Sequence, residues 1–249
     1  MPAALLAPHL IQVKLPPMVL PEQTGSGLCD QGGRLLGPRA QNTRVRILDA
    51  TVVLLGEMPM RDLRVIDIAR RIGSSSATFY QYFKDVEDVV LHLARHISEY
   101  TPEFVELVHG DWTGRAGHER GRKLAEVVIC HWDRCAPILR VRNNACDEGD
   151  IAFRELRMSA MLPLVRAFAE IIAMSHRGAG ESAPEASCEA ADDSWQGGQL
   201  HPMMAAVALV SVLERLSMYH VSVEELAGTR EELIETLATL LQSVLISRR

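Results

Sequence analysis

The sequence predicts an all-α protein in two parts, an N-terminal three-helix unit and a longer helical body. Two observations carry this. Apolar residues recur three and four apart in segment after segment, which is the spacing of one helical face, and the body carries no strand signal. Helix breakers punctuate that pattern: Gly56 to Pro59, Gly73, Pro102 and Pro137. Charge divides the chain in the same way. Residues 39–97 hold nine Lys/Arg against seven Asp/Glu, whereas residues 98–249 hold fifteen against twenty-three. A mildly basic head on an acidic body suits a protein that touches phosphates at one end only. The overall charge of −6 argues against a chain coated in nucleic acid.

Residues 1–38 are rich in Pro and Gly and read as a disordered arm. Met18 is an alternative start, and Leu10–Leu15 is too short for a signal peptide. With only Lys14 and Arg34, the arm is a poor fit to a basic minor-groove follower. The first helix is expected over Gln41–Gly56, capped by Asn42 or Thr43, with Val45, Leu48, Val52 and Leu55 inward. Arg44 and Arg46 fall near its start, where exposed backbone amides also favour anionic phosphate. The alternative is that both are simply solvated. Leu63 is expected to plug the three-helix core.

The most informative stretch is Arg64–Lys84. Val65, Ile68, Ala69 and Ile72 make one apolar face of a short helix, and Gly73 allows the chain to leave it with φ > 0. Ser74, Ser75 and Ser76 offer hydroxyls to cap a second helix, expected over Ser76–Phe83. Phe79 and Phe83 turn one way. Ala77, Thr78, Gln81 and Lys84 turn the other, with Tyr80 and Tyr82 on the flanks. A small residue that permits close approach, hydrogen-bonding groups and a cation make a surface suited to the DNA major groove.

A fourth helix starts at Asp85, with Asp88 completing a capping pair. Val86, Val89, Val90, Leu93 and Ile97 are its buried stripe, and Pro102 kinks or ends it. It would join head to body as a lever. In the body the pattern predicts helices over His118–Cys135, Ile138–Cys146, Asp150–Ser175 with Pro163 inside, Pro202–Tyr219, and from Val223 or Thr229 to Ile246. Residues 177–199 read as a flexible acidic loop.

Catalytic and metal chemistry find little support. No nucleophile elbow, phosphate-binding loop or dinucleotide fingerprint is present. His92 and His96 lie four apart without a third ligand, and Glu106/His109 is a single Glu-x-x-His where a di-iron bundle needs two. Five cysteines without a CxxC argue against disulfide scaffolding and for a reducing cytoplasm. No run of eighteen apolar residues suggests a membrane span. No enzyme activity, metal or cofactor is expected.

The segment Asp67-Ile68-Ala69, then Gly73-x-Ser75-x-Ala77-Thr78-Phe79-Tyr80-x-Tyr82-Phe83-Lys84, then Glu87, resembles the DNA-binding domain of the tetracycline-repressor (TetR) family. Two positions depart. Arg64 stands where the family has a capping Thr or Ser, with Asp62 a substitute cap, and Ser74 stands where it has an apolar turn residue. The resemblance implies a regulator with a DNA-binding head over residues 39–97 and an effector-binding, dimerising body over 98–249. The expected DNA-facing residues are Arg44, Arg46, Ser75, Ser76, Ala77, Thr78, Tyr80, Gln81, Tyr82 and Lys84. The implied cavity would be lined by Trp132, Met158, Met161, Phe168 and Met204, with Asn143 and Asn144 orienting a small hydrophobic effector. Similar family tails around Leu213-Glu214-Arg215 hint at lipid-related regulation. The last helix carries Leu233, Leu237, Leu240, Leu241 and Val244 in a stripe wider than one neighbour covers. Together with an apolar Pro202–Tyr219 helix, that predicts a four-helix interface with a second copy.

Overall fold

A computed structural model describes residues 31–99, 101–180 and 201–246. Among these there are ten α-helices and no strand. Residues 1–30 and most of the expected 177–199 loop lie outside the described residues.

The head comprises α1 (Pro38–Glu57), α2 (Val65–Arg71) and α3 (Ser76–Tyr80), with a short 3-10 turn at Met60–Asp62. Ile47, Leu48, Leu63, Ile68, Phe79 and Phe83 are buried at its centre. The first helix begins earlier than expected. Gly37 is its N-cap and Pro38 its first residue, a position where proline's fixed φ fits and its missing N–H costs nothing. Asn42 and Thr43 are therefore interior residues rather than caps, and Thr43 Oγ1 donates to the Arg39 carbonyl (3.1 Å).

α4 (Val86–Ser98) starts as the sequence suggests. Asp85 Oδ1 accepts from Asp88 N–H (2.8 Å), and Asp88 Oδ2 accepts from Lys84 N–H (3.0 Å). It stops before Pro102, which instead lies in the first turn of an unforeseen short helix, α5 (Thr101–Val108). Proline at that position loses no intrahelical bond.

Two expected helices are one: α6 (Gly114–Asp147) runs through Pro137. Trp132 before the proline and Ile138 and Leu139 after it are all buried, so packing on both sides outweighs the lost backbone bond. α7 (Ile151–Gly180) likewise contains Pro163. Its stretch Ile151–Ser175 is long and apolar enough to cross a membrane, with a mean hydropathy of 1.4, which the uninterrupted-run criterion missed. Here Phe153, Ala167, Phe168 and Ile172 are buried in the body instead.

α8 (Pro202–Met218) packs on α7. Arg157 meets Glu214 at one end while Met174 and Met203 line one groove at the other, so the two helices run antiparallel. α9 (His220–Ala227) is separated by Gly228, at φ 154°, from α10 (Arg230–Leu245). Thr229 is the true start of α10. Its hydroxyl accepts from Glu232 N–H (3.3 Å), and the Glu232 carboxylate accepts from Thr229 N–H (2.7 Å). α10 lies close along α6, where a side chain in place of Gly121 would come within 3.0 Å of the Ala238 backbone.

Candidate nucleic-acid interface and internal cavity

The turn before α3 is closed by backbone bonds. Gly73, at φ 65°, donates to the Arg70 carbonyl, and Ser74 N–H donates to the Ala69 carbonyl (2.9 Å). Arg64 offers no side-chain cap to α2, nor does Asp62, which sits in the 3-10 turn beside Arg61. Asp67 takes that role from inside the helix, its Oδ2 accepting from Arg64 N–H (3.1 Å). Of the three serines, Ser75 caps α3: its Oγ accepts from Thr78 N–H (3.2 Å) and lies 3.1 Å from Thr78 Oγ1.

α3 is shorter than expected. It ends at Tyr80, and Gln81 to Phe83 form a turn that keeps Phe83 in the core, with its ring 6.0 Å from Phe79. Ser75, Ala77, Tyr80, Gln81 and Lys84 are exposed, whereas Ser76, Thr78 and Tyr82 are half-buried. Gln31 N–H reaches the Gln81 carbonyl (3.1 Å), so the chain entering α1 touches the end of this surface.

Arg44 and Arg46 are placed differently. Because α1 starts at Pro38, neither lies at a helix N-terminus. Arg44 turns inward: its Nη2 is 2.9 Å from His92 Nε2, and its guanidinium stands 5.0 Å over the Phe83 ring. Arg46 donates to the Ile72 carbonyl at the end of α2. Both arginines thus brace the head. Burial, and then the charge of Arg44, depress the His92 pKa to about 4.

The lever arrangement has a structural basis. Val89, Val90 and Leu93 of α4 are buried, and one turn later Ile97 and Ser98 line a cavity in the body. That cavity has a volume of about 80 Å³. Trp132 and Met161 line it, as expected, together with Phe104, His131, Arg142 and Glu214. His131 stands edge-on to Phe104 at 5.2 Å, and burial, then Arg142, hold its pKa down at about 4.

The other expected lining residues do not converge there. Phe168 is buried against Trp112 (6.4 Å). Met158 and Met204 face outward, at 56% and 67% exposure. Asn143 and Asn144 line a separate outer groove of about 640 Å³ with Arg157, Glu214 and Tyr219. Sequence reasoning missed the charged group between the two spaces, Arg142, Arg157 and Glu214. The available signal was Glu214 directly after the long, mostly apolar Pro202–Leu213 run.

The expected dimer stripe also needs correction. Leu233, Leu237 and Leu241 are buried within one chain, Leu237 at 1% exposure, because α10 packs against α6. Val244 is half-buried, and only Leu240 is exposed, at 44%. On α7 and α8 the side chains of Met158, Met174, Met203, Met204, Val207 and Val212 are exposed, as are Val221 and Leu226 on α9.

The arrangement of head, α4 and helical body has known counterparts. The family of bacterial regulatory proteins of the tetR type matches residues 47–93, and the tetracyclin repressor-like C-terminal domain matches residues 104–248. The chain belongs to the TetR family. It is a DNA-binding, ligand-binding transcriptional regulator whose helix-turn-helix is α2 and α3. A curated relative, the fatty acid metabolism regulator protein of Bacillus subtilis, is 30% identical over 92 residues, 37% of this chain. The matched part spans only 45% of that relative. Two solved structures share the TetR fold. A TetR-family regulator from Syntrophomonas wolfei has a TM-score of 0.56 and 15% identity over 84% of this chain and 97% of its own. The fatty acid degradation regulator FadR of Bacillus halodurans has a TM-score of 0.54 and 18% identity over 86% and 100%.

Proposed function

We propose that this TetR-family chain is a ligand-released repressor that binds a palindromic operator as a homodimer. The observation that carries the reading is the continuity of α4. Its Val89, Val90 and Leu93 belong to the core of the DNA-binding head, and its Ile97 and Ser98 belong to the cavity wall. A ligand that occupies this 80 Å³ space presses on a cavity of which one wall is the end of a helix rooted in the head. Small ligands generally need several hundred Å³, so the compact cavity fits a ligand-free, DNA-competent state. Effector and DNA then oppose each other reciprocally.

In this reading Ala77, Tyr80, Gln81 and Lys84 meet the major groove, with Ser75, Ser76, Thr78 and Tyr82 supporting them. Arg44 and Arg46 hold the head together and do not serve as primary phosphate contacts. The second copy docks on α7 and α8, where Met158, Met204 and Val207 are exposed apolar side chains that a four-helix interface would cover. Half-sites then lie about 34–36 Å apart or a multiple of that. The fatty-acid names of the relatives support an acyl-bearing effector, and the chain acts in the cytoplasm where its operator is.

Footprinting of genomic fragments selected by the full chain tests the reading. It predicts a two-fold symmetric protected site that opens when a lipophilic ligand is added. Selection of no fragment above random DNA would reject it.

A further inference from the structure

Glu214 lines both the internal cavity and the outer groove, so its side chain is part of the wall between them. Arg142 lines the cavity side, and Arg157 and Asn143 line the groove side. All three bind the one carboxylate. Glu214 Oε1 accepts from Arg142 Nη2 (3.2 Å) and Asn143 Nδ2 (3.4 Å), and Oε2 accepts from Arg157 Nη2. Arg142 is almost fully buried and Glu214 largely so. Arg157 Nε is closed off from solvent and has no acceptor.

Two guanidiniums therefore share one carboxylate, and a donor is left over. The remaining charged groups of the groove, Asp147 and Arg215, cancel each other, so the site keeps a surplus positive charge. Buried guanidiniums are stable only when paired, and their planar forks suit carboxylate and phosphate oxygens. Beside the arginines the cavity wall turns apolar, with Trp132, Met161 and Leu164.

We propose that Arg142, Arg157 and Asn143 form the anion-recognition site of the effector pocket, and that Glu214 is a built-in stand-in for the ligand's acidic head. This rests on reading the body as an effector domain. The ligand is an amphiphile with a carboxylate or phosphate head. Its head takes Glu214's place against the two arginines, and its apolar body enters beside Trp132 and Met161. Displacing Glu214 opens a gap in the shared wall, so the small cavity joins the 640 Å³ groove and gains the room that a ligand of this size needs. Competition from Glu214 keeps the empty site closed and makes the response selective for an anion over a neutral lipid.

Calorimetric titration of the full-length chain with decanoate, decyl phosphate and decanol tests this without any variant. The expected result is that at least one anion binds about tenfold or more tighter than decanol, and that raising the salt weakens only the anion. The better of the two anions identifies the head group. Arg157→Gln should lower anion affinity about tenfold and leave decanol unchanged, and Glu214→Gln should raise anion affinity several-fold. Equal binding of all three probes, binding of decanol alone, or no binding at all overturns the proposal. A gel shift with the same probes separates the two levels. If decanol alone binds and releases DNA, the effector reading stands and the anion site falls. If the chain selects no DNA, the regulator reading falls with it.

Discussion

His220 Nε2 lies 2.8 Å from Asp133 Oδ1, joining the start of α9 to the middle of α6 across 87 residues of sequence. The contact is part of a closed network. His220 Nδ1 is 2.9 Å from Glu224 Oε1, and Arg230 bridges Asp133 (3.0 Å) and Glu224 (3.1 Å). Burial alone would raise the Glu224 pKa, yet its hydrogen bonds with His220 and Arg230 outweigh this and hold it below the ordinary carboxylate range. Asp133→Ala should leave the buried imidazole and Arg230 each short of a partner. We expect a loss of about 1–3 kcal/mol in urea unfolding, with DNA affinity of the remaining folded protein unchanged. An unchanged midpoint would mean that the network only decorates the helix junction.

Acidification should destabilise the fold through two imidazoles. His92 and His131 both have folded pKa values of about 4, below the ordinary 6.5. Between pH 6.5 and 4 the unfolded chain binds these protons and the folded chain does not, so the contribution of the two rings falls as pH falls through that window and levels off below it. The loss is on the order of 2 kcal/mol for each ring, after allowing for solvent access to His92. Melting temperatures measured from pH 7.5 to 4 should show the fall, and His131→Gln should flatten part of it. A profile as steep in the variant as in the parent chain would contradict the assignment.

The dimer prediction separates two helices. Val207→Glu on α8 should give a folded monomer by light scattering, with unchanged helix content and greatly reduced operator affinity, because a charge cannot be buried unpaired in an apolar seam. Leu237→Glu on α10 should instead destabilise the single chain by several kcal/mol, since Leu237 is buried against α6. If Leu237→Glu monomerises a fully folded chain while Val207→Glu remains dimeric, the interface lies on α10.

How much was legible in the sequence differs between the head and the body. The Gly73 turn, the Ser75 cap and the inward Phe79 and Phe83 are local chemistry, and the structure keeps all of them. The start of α1 was misplaced because Asn42 and Thr43 are good caps and Pro38 was assigned to the arm. The inward turn of Arg44 was not legible, because the pattern gives its helix face but cannot say that His92 and Phe83 wait across the core. In the body, Pro137 suggests a helix end and Pro102 a kink or an end, yet Pro137 sits within a long packed helix and Pro102 opens a short one. The stripe on α10 is apolar as expected, and within one chain α6 already covers Leu233, Leu237 and Leu241. Amphipathicity shows that a face is covered, and only tertiary packing shows whether α6 or a second chain covers it. Arg142, Arg157 and Glu214 are far apart in sequence, so their convergence leaves almost no local trace.

The reading of the α3 surface rests most directly on Gln81 and Lys84, which are both exposed at its end. Fluorescence anisotropy with the footprinted operator and with random DNA, across a range of salt, measures their roles. Gln81→Ala should lose about 1–3 kcal/mol of discrimination between the two DNAs, because an amide can pair with a base edge in the major groove. Lys84→Ala should weaken both about equally and reduce the salt slope by about one. Operator discrimination that survives both substitutions unchanged would contradict the claim that this chain reads DNA through the surface at the end of α3.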